Sequence, residues 1–386
     1  MLKIVQVAVF IFSAQVGSGL FLLPSALCGV GYKALLIFTL VGLLCTLIIK
    51  IFAETGENSH EIIGTAFGAK VGNLFFFIYW FISWFSTVVL FKELVGYLGL
   101  PPFQGLGIEV IIWFFVTFFN MWSLKRMMLL ESLLTALKVL PFFGLCVCYF
   151  LTAKTSHITP LSPVSFPLVL RCLWNFVGLE TGNIIAKNLD ISKKEREIGT
   201  YLGMATVIIF YVLSLFFCFS IGGTELLWGN KAPYIDIFQK CLGAYMAPNT
   251  ISYFIKSLVS ITLVGSINSW TISTGYMGCE GGELKVLPKC FTYKNKHQVP
   301  HISIFLSSLC VLFFIILCCN QNIYATTVKL IEISSCFFLF IYGMCIWAYS
   351  SIYLKGIKKI LYNMLAAIII FCFISEIYKN ILLIVF

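Results

Sequence analysis

A chain of 386 residues that is 60% hydrophobic and 11% charged, with a mean hydropathy of +0.98, carries more apolar surface than a soluble fold can bury. The formal net charge of +10 lies mostly in short loops between apolar runs, which points to membrane orientation and away from nucleic acid. Most of the 15 cysteines, such as Cys45, Cys146, Cys148, Cys310, Cys318, Cys319 and Cys336, fall inside those runs, which excludes a disulfide framework.

The reading is an all-α polytopic membrane protein with about eleven spans. They lie at about 4–28, 34–53, 73–98, 107–122, 127–151, 165–187, 199–222, 249–277, 301–319, 324–352 and 358–376. The first run has a single basic residue before it, Lys3, and a bulky Leu27 where processing needs a small residue, so it is expected to be retained. Between the second and third spans, Ala53 to Gly72 has Glu54, Glu57 and Glu61 on one side and Ile62, Ile63 and Phe67 on the other. This segment reads as a short amphipathic helix at the cytoplasmic surface. The run Lys193-Lys194-Glu195-Arg196-Glu197 reads as a solvated helix start. Residues 380–386 are apolar but too few to cross, and read as a truncated twelfth span or an interfacial tail.

About sixteen basic residues sit on one set of loops, among them Lys50, Lys70, Lys125, Arg126, Lys187, Lys285, Lys289, Lys355 and Lys358. The opposite loops hold Lys33, Lys154, Lys231, Lys240 and Lys379. The N-terminus is therefore expected in the cytoplasm of a cell (inner or plasma) membrane.

Two spans are interrupted. In the first, Gly17-Ser18-Gly19 and Pro24 fall inside a run otherwise long enough to cross. In the sixth, Trp174-Asn175-Phe176-Val177-Gly178-Leu179-Glu180-Thr181-Gly182 places two glycines and a carboxylate at membrane depth. Unwound backbone is tolerated there only where it faces protein, water or ligand. Paired interruptions one five-span unit apart point to an inverted-repeat transporter. A packing seam of small residues is the other reading of the first.

These residues carry a resemblance. Gln15-Val16-Gly17-Ser18-Gly19-Leu20-Phe21 resembles the first-span G-S-G-[IVL]-F motif of amino acid–polyamine–organocation transporters, and Leu173 to Glu180 resembles their sixth-span W-x-F-x-G-x-E. Gly265-Ser266-Ile267-Asn268-Ser269-Trp270-Thr271 and Tyr79-Trp80 are similar to stretches of the basic amino acid and polyamine antiporters of that superfamily. The resemblance implies a LeuT-type 5+5 inverted repeat with discontinuous first and sixth spans. Residues 1–152 would form the first repeat, 160–354 the second, and 355–386 a peripheral span and tail. It implies a secondary transporter of amino acids, basic ones or polyamines among them, working by alternating access through exchange or proton coupling. No enzyme chemistry, cofactor or metal is implied. Cys279, Cys290, His297 and His301 share a polar region, but their spacing fits no strong metal pattern.

The resemblance also implies roles. Ser18 and Gly19, with Gly17, would meet the substrate carboxylate through half-helix N–H groups. Carbonyls around Trp174, Phe176, Val177 and Gly178 would hold its ammonium. Ser13, Gln15 and Asn175 would line the site or serve as polar glue between helices. Trp174 would be an aromatic lid, and Tyr79, Glu180, Trp270 and Tyr342 would form an inner gate. Lys138 is a departure from the antiporter branch. It lies about 12 residues past Arg126, ~18 Å deep at helical rise. Other members of the superfamily carry a lysine there, where sodium-coupled relatives bind sodium. It would either couple transport to protons or remain a structural ammonium bonded to the first span.

The remaining ionisable groups are expected to matter less. Lys92 and Glu93 face different sides of the third span, Glu131 and Lys256 lie near span ends, and Lys329 pairs locally with Glu332. Arg171 lies just outside the sixth-span break and would greet an anionic substrate or snorkel. A sensor or remnant that keeps the fold without transporting is the second reading, and a membrane enzyme the third. The peripheral tail leaves the oligomeric state open.

Overall fold

The computed structural model describes residues 2–152, 157–179, 191–319 and 323–385. Among these, eight helices are long and apolar enough to cross a bilayer, and nine if the bent pair Lys3–Gln15 and Gly19–Val30 is one span. The two halves of that pair meet at 53°. His301–Leu317 is a shorter apolar helix, and part of the sixth span falls on residues 180–190, outside the described residues.

The first span is α1 (Leu2–Gln15) and α2 (Gly19–Leu27), separated at Gly17-Ser18. The second, α3 (Lys33–Thr55), shows how a bilayer sorts side chains. Leu36, Leu40, Leu43 and Leu47 form an exposed stripe at helical spacing, while Phe38, Cys45, Ile48, Ile49 and Phe52 are buried behind it. Helix α4 (Ser59–Phe67) starts on a capping box between Asn58 and Glu61, as a short amphipathic helix should. Its apolar face turns to the bundle instead of the lipid surface, because Ile62 and Ile63 are fully buried against α5 (Ala69–Leu98) and the tenth span. Asn58 also donates to Glu280 at 2.9 Å, tying α4 to the eighth span.

Helix α6 (Pro102–Asn120) is the fourth span. The fifth is broken into α7 (Leu124–Lys138) and α8 (Leu140–Leu151), because Pro141 cannot continue the hydrogen-bond ladder. The sixth enters as α9 (Phe166–Trp174). The seventh, α10 (Lys193–Leu227), begins on a Ser192–Glu195 capping box, so the charge run is indeed a helix start. A helix with no counterpart in the sequence reading follows: α11 (Pro233–Leu242), whose Tyr234, Ile237 and Phe238 are buried.

The eighth span, α12 (Pro248–Glu283), has 36 residues, about 54 Å at helical rise and longer than a bilayer core, and Glu280 near its end reaches Asn58 at the start of α4. Helices α13 (His301–Leu317), α14 (Ile323–Tyr353) and α15 (Gly356–Val385) are the ninth, tenth and eleventh spans. The apolar tail continues α15 and is not a separate stub. Helix α1 packs along α10, and α5 lies against α12, α13 and α14, which places both breaks at the centre of the bundle.

Candidate substrate site

At the first break, two neighbours stitch the loosened backbone with three hydrogen bonds. The Tyr211 hydroxyl of α10 donates to the Gln15 carbonyl at 2.9 Å and accepts from the Gly17 N–H at 3.3 Å. Ser266 of α12 donates to the Val16 carbonyl at 3.3 Å. A β-carbon at Gly17 would meet Ser266 Oγ at 2.5 Å, and one at Gly19 would meet Asn175 Oδ1 at 1.3 Å, so the two breaks touch directly. Tyr211 was not foreseeable from spacing. Tyr211→Phe strands one N–H and one carbonyl, at a cost of about 1–3 kcal/mol. A clearly lowered melting temperature of the purified protein is the expected result, and an unchanged one would count against the stitching role.

At the second break the chain turns tightly. The N–H groups of Asn175, Phe176 and Val177 bond three residues back at 3.3, 2.8 and 3.3 Å. Gly178 then takes φ +89°, a value few side chains allow. Tyr342 of α14 accepts from the Gly178 N–H at 3.2 Å and from the Leu179 N–H at 3.4 Å. Each break is thus closed by a tyrosine hydroxyl from the other side of the bundle.

Between them lies a hollow of about 20 Å³ lined by Gln15, Gly17, Ser18, Gly19, Trp174, Asn175, Val177, Ser266 and Trp270, among others. That is room for about one water, so an amino acid requires the walls to move. Trp174 is the wall best placed to do so. Its indole N–H donates to Ser18 Oγ at 2.8 Å, and its other face lines a cavity of about 370 Å³ with Leu22, Arg171, Lys329 and Glu332. Gln15 Nε2 and Oε1 and Asn175 Oδ1 are buried at the hollow without a hydrogen bond among the described residues.

Of the expected lining side chains, Ser13 points elsewhere, and Phe176 offers the site only its backbone. Phe176 packs its ring on Phe38, 4.9 Å between centroids. The Ser13 hydroxyl donates to Glu131 and receives Lys138 Nζ at 3.0 Å, because it lies one turn before the break on the α7 side. Lys138 is fully buried and also donates to the Ser13 carbonyl at 2.7 Å. Glu131 is not at a span end in any functional sense. It is 2% exposed and accepts from Ser13, from Ser269 and from Asn268 at 2.7 Å. Asn120 extends the network to Asn268 at 2.8 Å. Glu131 precedes Lys138 by two helical turns on one face, a spacing that was readable in the sequence.

Tyr79, Trp270 and Tyr342 converge around Phe338, with centroids 5.2, 6.3 and 6.2 Å from its ring. Phe338 carried no signal of its own in an apolar run. Glu180, the fourth expected gate residue, lies outside the described residues. At the vestibule, Arg171 donates to Glu332 Oε1 at 2.8 and 3.0 Å across two spans. The local Lys329–Glu332 pair is therefore replaced by a tertiary one. Lys92 pairs with Glu109 at 2.9 Å and leaves Glu93 on another face. Glu93 is 3% exposed, one turn beyond Leu90 of the hollow. Its signal, a carboxylate inside an apolar run, is the same that singled out Glu180.

The sequence pattern of the family described as "Amino acid permease" matches residues 2–384. The chain is 22% identical over 334 residues to a cadaverine/lysine antiporter of Escherichia coli K12, covering 80% of this chain and 72% of that protein. It is 24% identical over 354 residues to an arginine/agmatine antiporter of Chlamydia pneumoniae, covering 79% and 69%. An arginine/ornithine antiporter of Pseudomonas aeruginosa is 22% identical over 355 residues, covering 82% and 70%. Because the family pattern runs along nearly the whole chain and not through one motif alone, the protein belongs to the amino acid permease family.

Proposed function

We propose that the protein is a secondary transporter that exchanges amino acids, basic ones and their amines among them, by alternating access across a cell membrane. The observation that carries this reading is the ring of unpaired buried polar atoms, Gln15 Nε2 and Oε1 and Asn175 Oδ1, where two broken spans meet. A buried polar atom without a partner costs about 1–3 kcal/mol, and a ligand with one carboxylate and one ammonium relieves several at once. The substrate carboxylate meets Gly17–Gly19 and the ammonium meets the Trp174–Gly178 turn. Gln15 and Asn175 complete the lining, and Ser13 belongs to the lysine cluster.

In this reading Trp174 is the lid on the outer side, and Tyr79, Trp270, Tyr342 and Phe338 close the inner side. The N-terminus is cytoplasmic, and two five-span halves, 1–152 and 160–354, each contribute one break. The three relatives named above are antiporters, which favours exchange over catalysis and over a protein that only senses. Proton symport through Lys138 is the second mode, favoured by its direct bonds to span-one groups.

Counterflow in proteoliposomes with a panel of radiolabelled amino acids and amines, with and without a pH gradient, tests the proposal. Saturable uptake that depends on internal substrate is expected, and its absence across the panel would contradict it. Trp174→Ala removes the lid and its Ser18 bond, so the apparent KM should rise or turnover should fall by about tenfold, the loss of roughly 1.4 kcal/mol. Wild-type kinetics in that variant would remove Trp174 from the mechanism.

A further inference from the structure

Glu93 has no role in the scheme above, yet it sits where a charge matters. Both of its carboxylate oxygens are buried without a formed hydrogen bond among the described residues. Ser18 and Leu90, one turn before Glu93 on α5, line the same small hollow. Ser18 already accepts from Trp174, so its single O–H is available to point at the carboxylate. Among the described residues, the titratable groups that interact with Glu93 include Tyr97, one turn along α5, and Tyr211 from α10. The basic side chains nearby are engaged elsewhere. Lys92 bonds Glu109 and the Ile315 carbonyl, and Arg171 bonds Glu332.

Ser18 is also the group assigned above to the substrate carboxylate, and the inference rests on that assignment. Two ionised carboxylates beside one small, water-poor hollow repel strongly, so one of them takes a proton. We propose that Glu93 separates an amino acid from its decarboxylated amine by its own protonation. It is protonated beside a bound amino acid and ionised beside a bound amine. The only bond made or broken is the Glu93 O–H. Its proton comes from water on the side where the amino acid enters and returns to water where the amino acid leaves.

The charge balance follows. A singly charged basic amino acid with protonated Glu93 and a doubly charged diamine with ionised Glu93 give complexes of equal charge. Exchange of one for the other is electroneutral and carries a proton with the amino acid. Acid favours amino acid binding and alkali favours the amine, each by up to about tenfold per pH unit for one proton.

Proteoliposomes containing the full chain, with lysine against cadaverine and arginine against agmatine as probes, provide the test. Wild-type heteroexchange should ignore an imposed potassium-diffusion potential and should move protons, read with a trapped pH dye. Glu93→Gln imitates the protonated form. It should flatten the pH dependence of lysine affinity and weaken cadaverine binding roughly thirtyfold or more, as loss of one partner of a desolvated charge pair does. Heteroexchange driven by voltage without proton movement would overturn the proposal, as would cadaverine affinity that survives Glu93→Gln. The voltage measurement uses wild-type protein alone and stands even if the variant misfolds. A wild-type protein that exchanges neither pair overturns the antiporter reading itself, and so is distinguishable from failure of the Glu93 assignment.

Discussion

Gly19→Ala is expected to abolish transport. The added methyl would fall 1.3 Å from Asn175 Oδ1 and 2.4 Å from its Cγ, far inside contact distance. Asn175 cannot yield easily, because its amide nitrogen is held by the Arg171 carbonyl at 2.9 Å and the Cys172 carbonyl at 3.3 Å. Either the two breaks separate or Asn175 gives up those bonds inside the protein. Overpacking costs about 1–3 kcal/mol, and the lost hydrogen bonds add about 1–3 kcal/mol. A drop in uptake of at least about a hundredfold is expected from the combined ~3 kcal/mol. The double variant Gly19→Ala with Asn175→Gly makes room for the methyl and should recover folding, read as melting temperature. Normal counterflow by the single variant would show that the breaks do not touch as described.

Lys138→Met should be the most destabilising single change in the spans. The lysine is fully buried, and its ammonium compensates Glu131 through the shared Ser13 hydroxyl. Removing one partner of a buried charge pair costs about 3–5 kcal/mol, because the other charge is left behind. Thermal unfolding of the purified protein should therefore shift sharply downward. Adding Glu131→Gln should recover most of the loss, since a neutral amide needs no cation. The coupling between the two sites is then read from the double-mutant cycle. Uptake separates the two roles of the lysine. If the double variant is stable but has lost acid stimulation, Lys138 couples transport to protons. If acid stimulation persists, the lysine is structural.

The helices and their interruptions were legible because a bilayer leaves few options. An apolar run of about 20 residues must be a helix, and glycine or proline inside it frees backbone groups that need partners. Gly17, Gly19 and Gly178 announced the breaks in this way, and Trp174 borders the hollow between them. The aromatic set of Tyr79, Trp270 and Tyr342 also comes together.

What the sequence withheld was the rotation of each helix. Ser13 and Gln15 are two residues apart, yet one joins the lysine cluster and the other faces the hollow. That choice is made by the packing of α1 against α7, α10 and α12, and local pattern does not encode it. The same holds for Arg171 and Glu332, which meet across two spans, and for Tyr211, whose hydroxyl repairs a break on another helix. Glu93 and Glu131 were visible as carboxylates in apolar surroundings. Their burial depends on neighbours contributed by distant segments.

A cryo-EM map of the protein holding an amino acid that it exchanges tests the paired breaks most directly. Density for the zwitterion is expected between Gly17–Gly19 and Trp174–Gly178, with the Trp174 indole released from Ser18 and the hollow enlarged. A first span running as one unbroken helix through Gly17–Gly19, or substrate seated away from both turns, would contradict it.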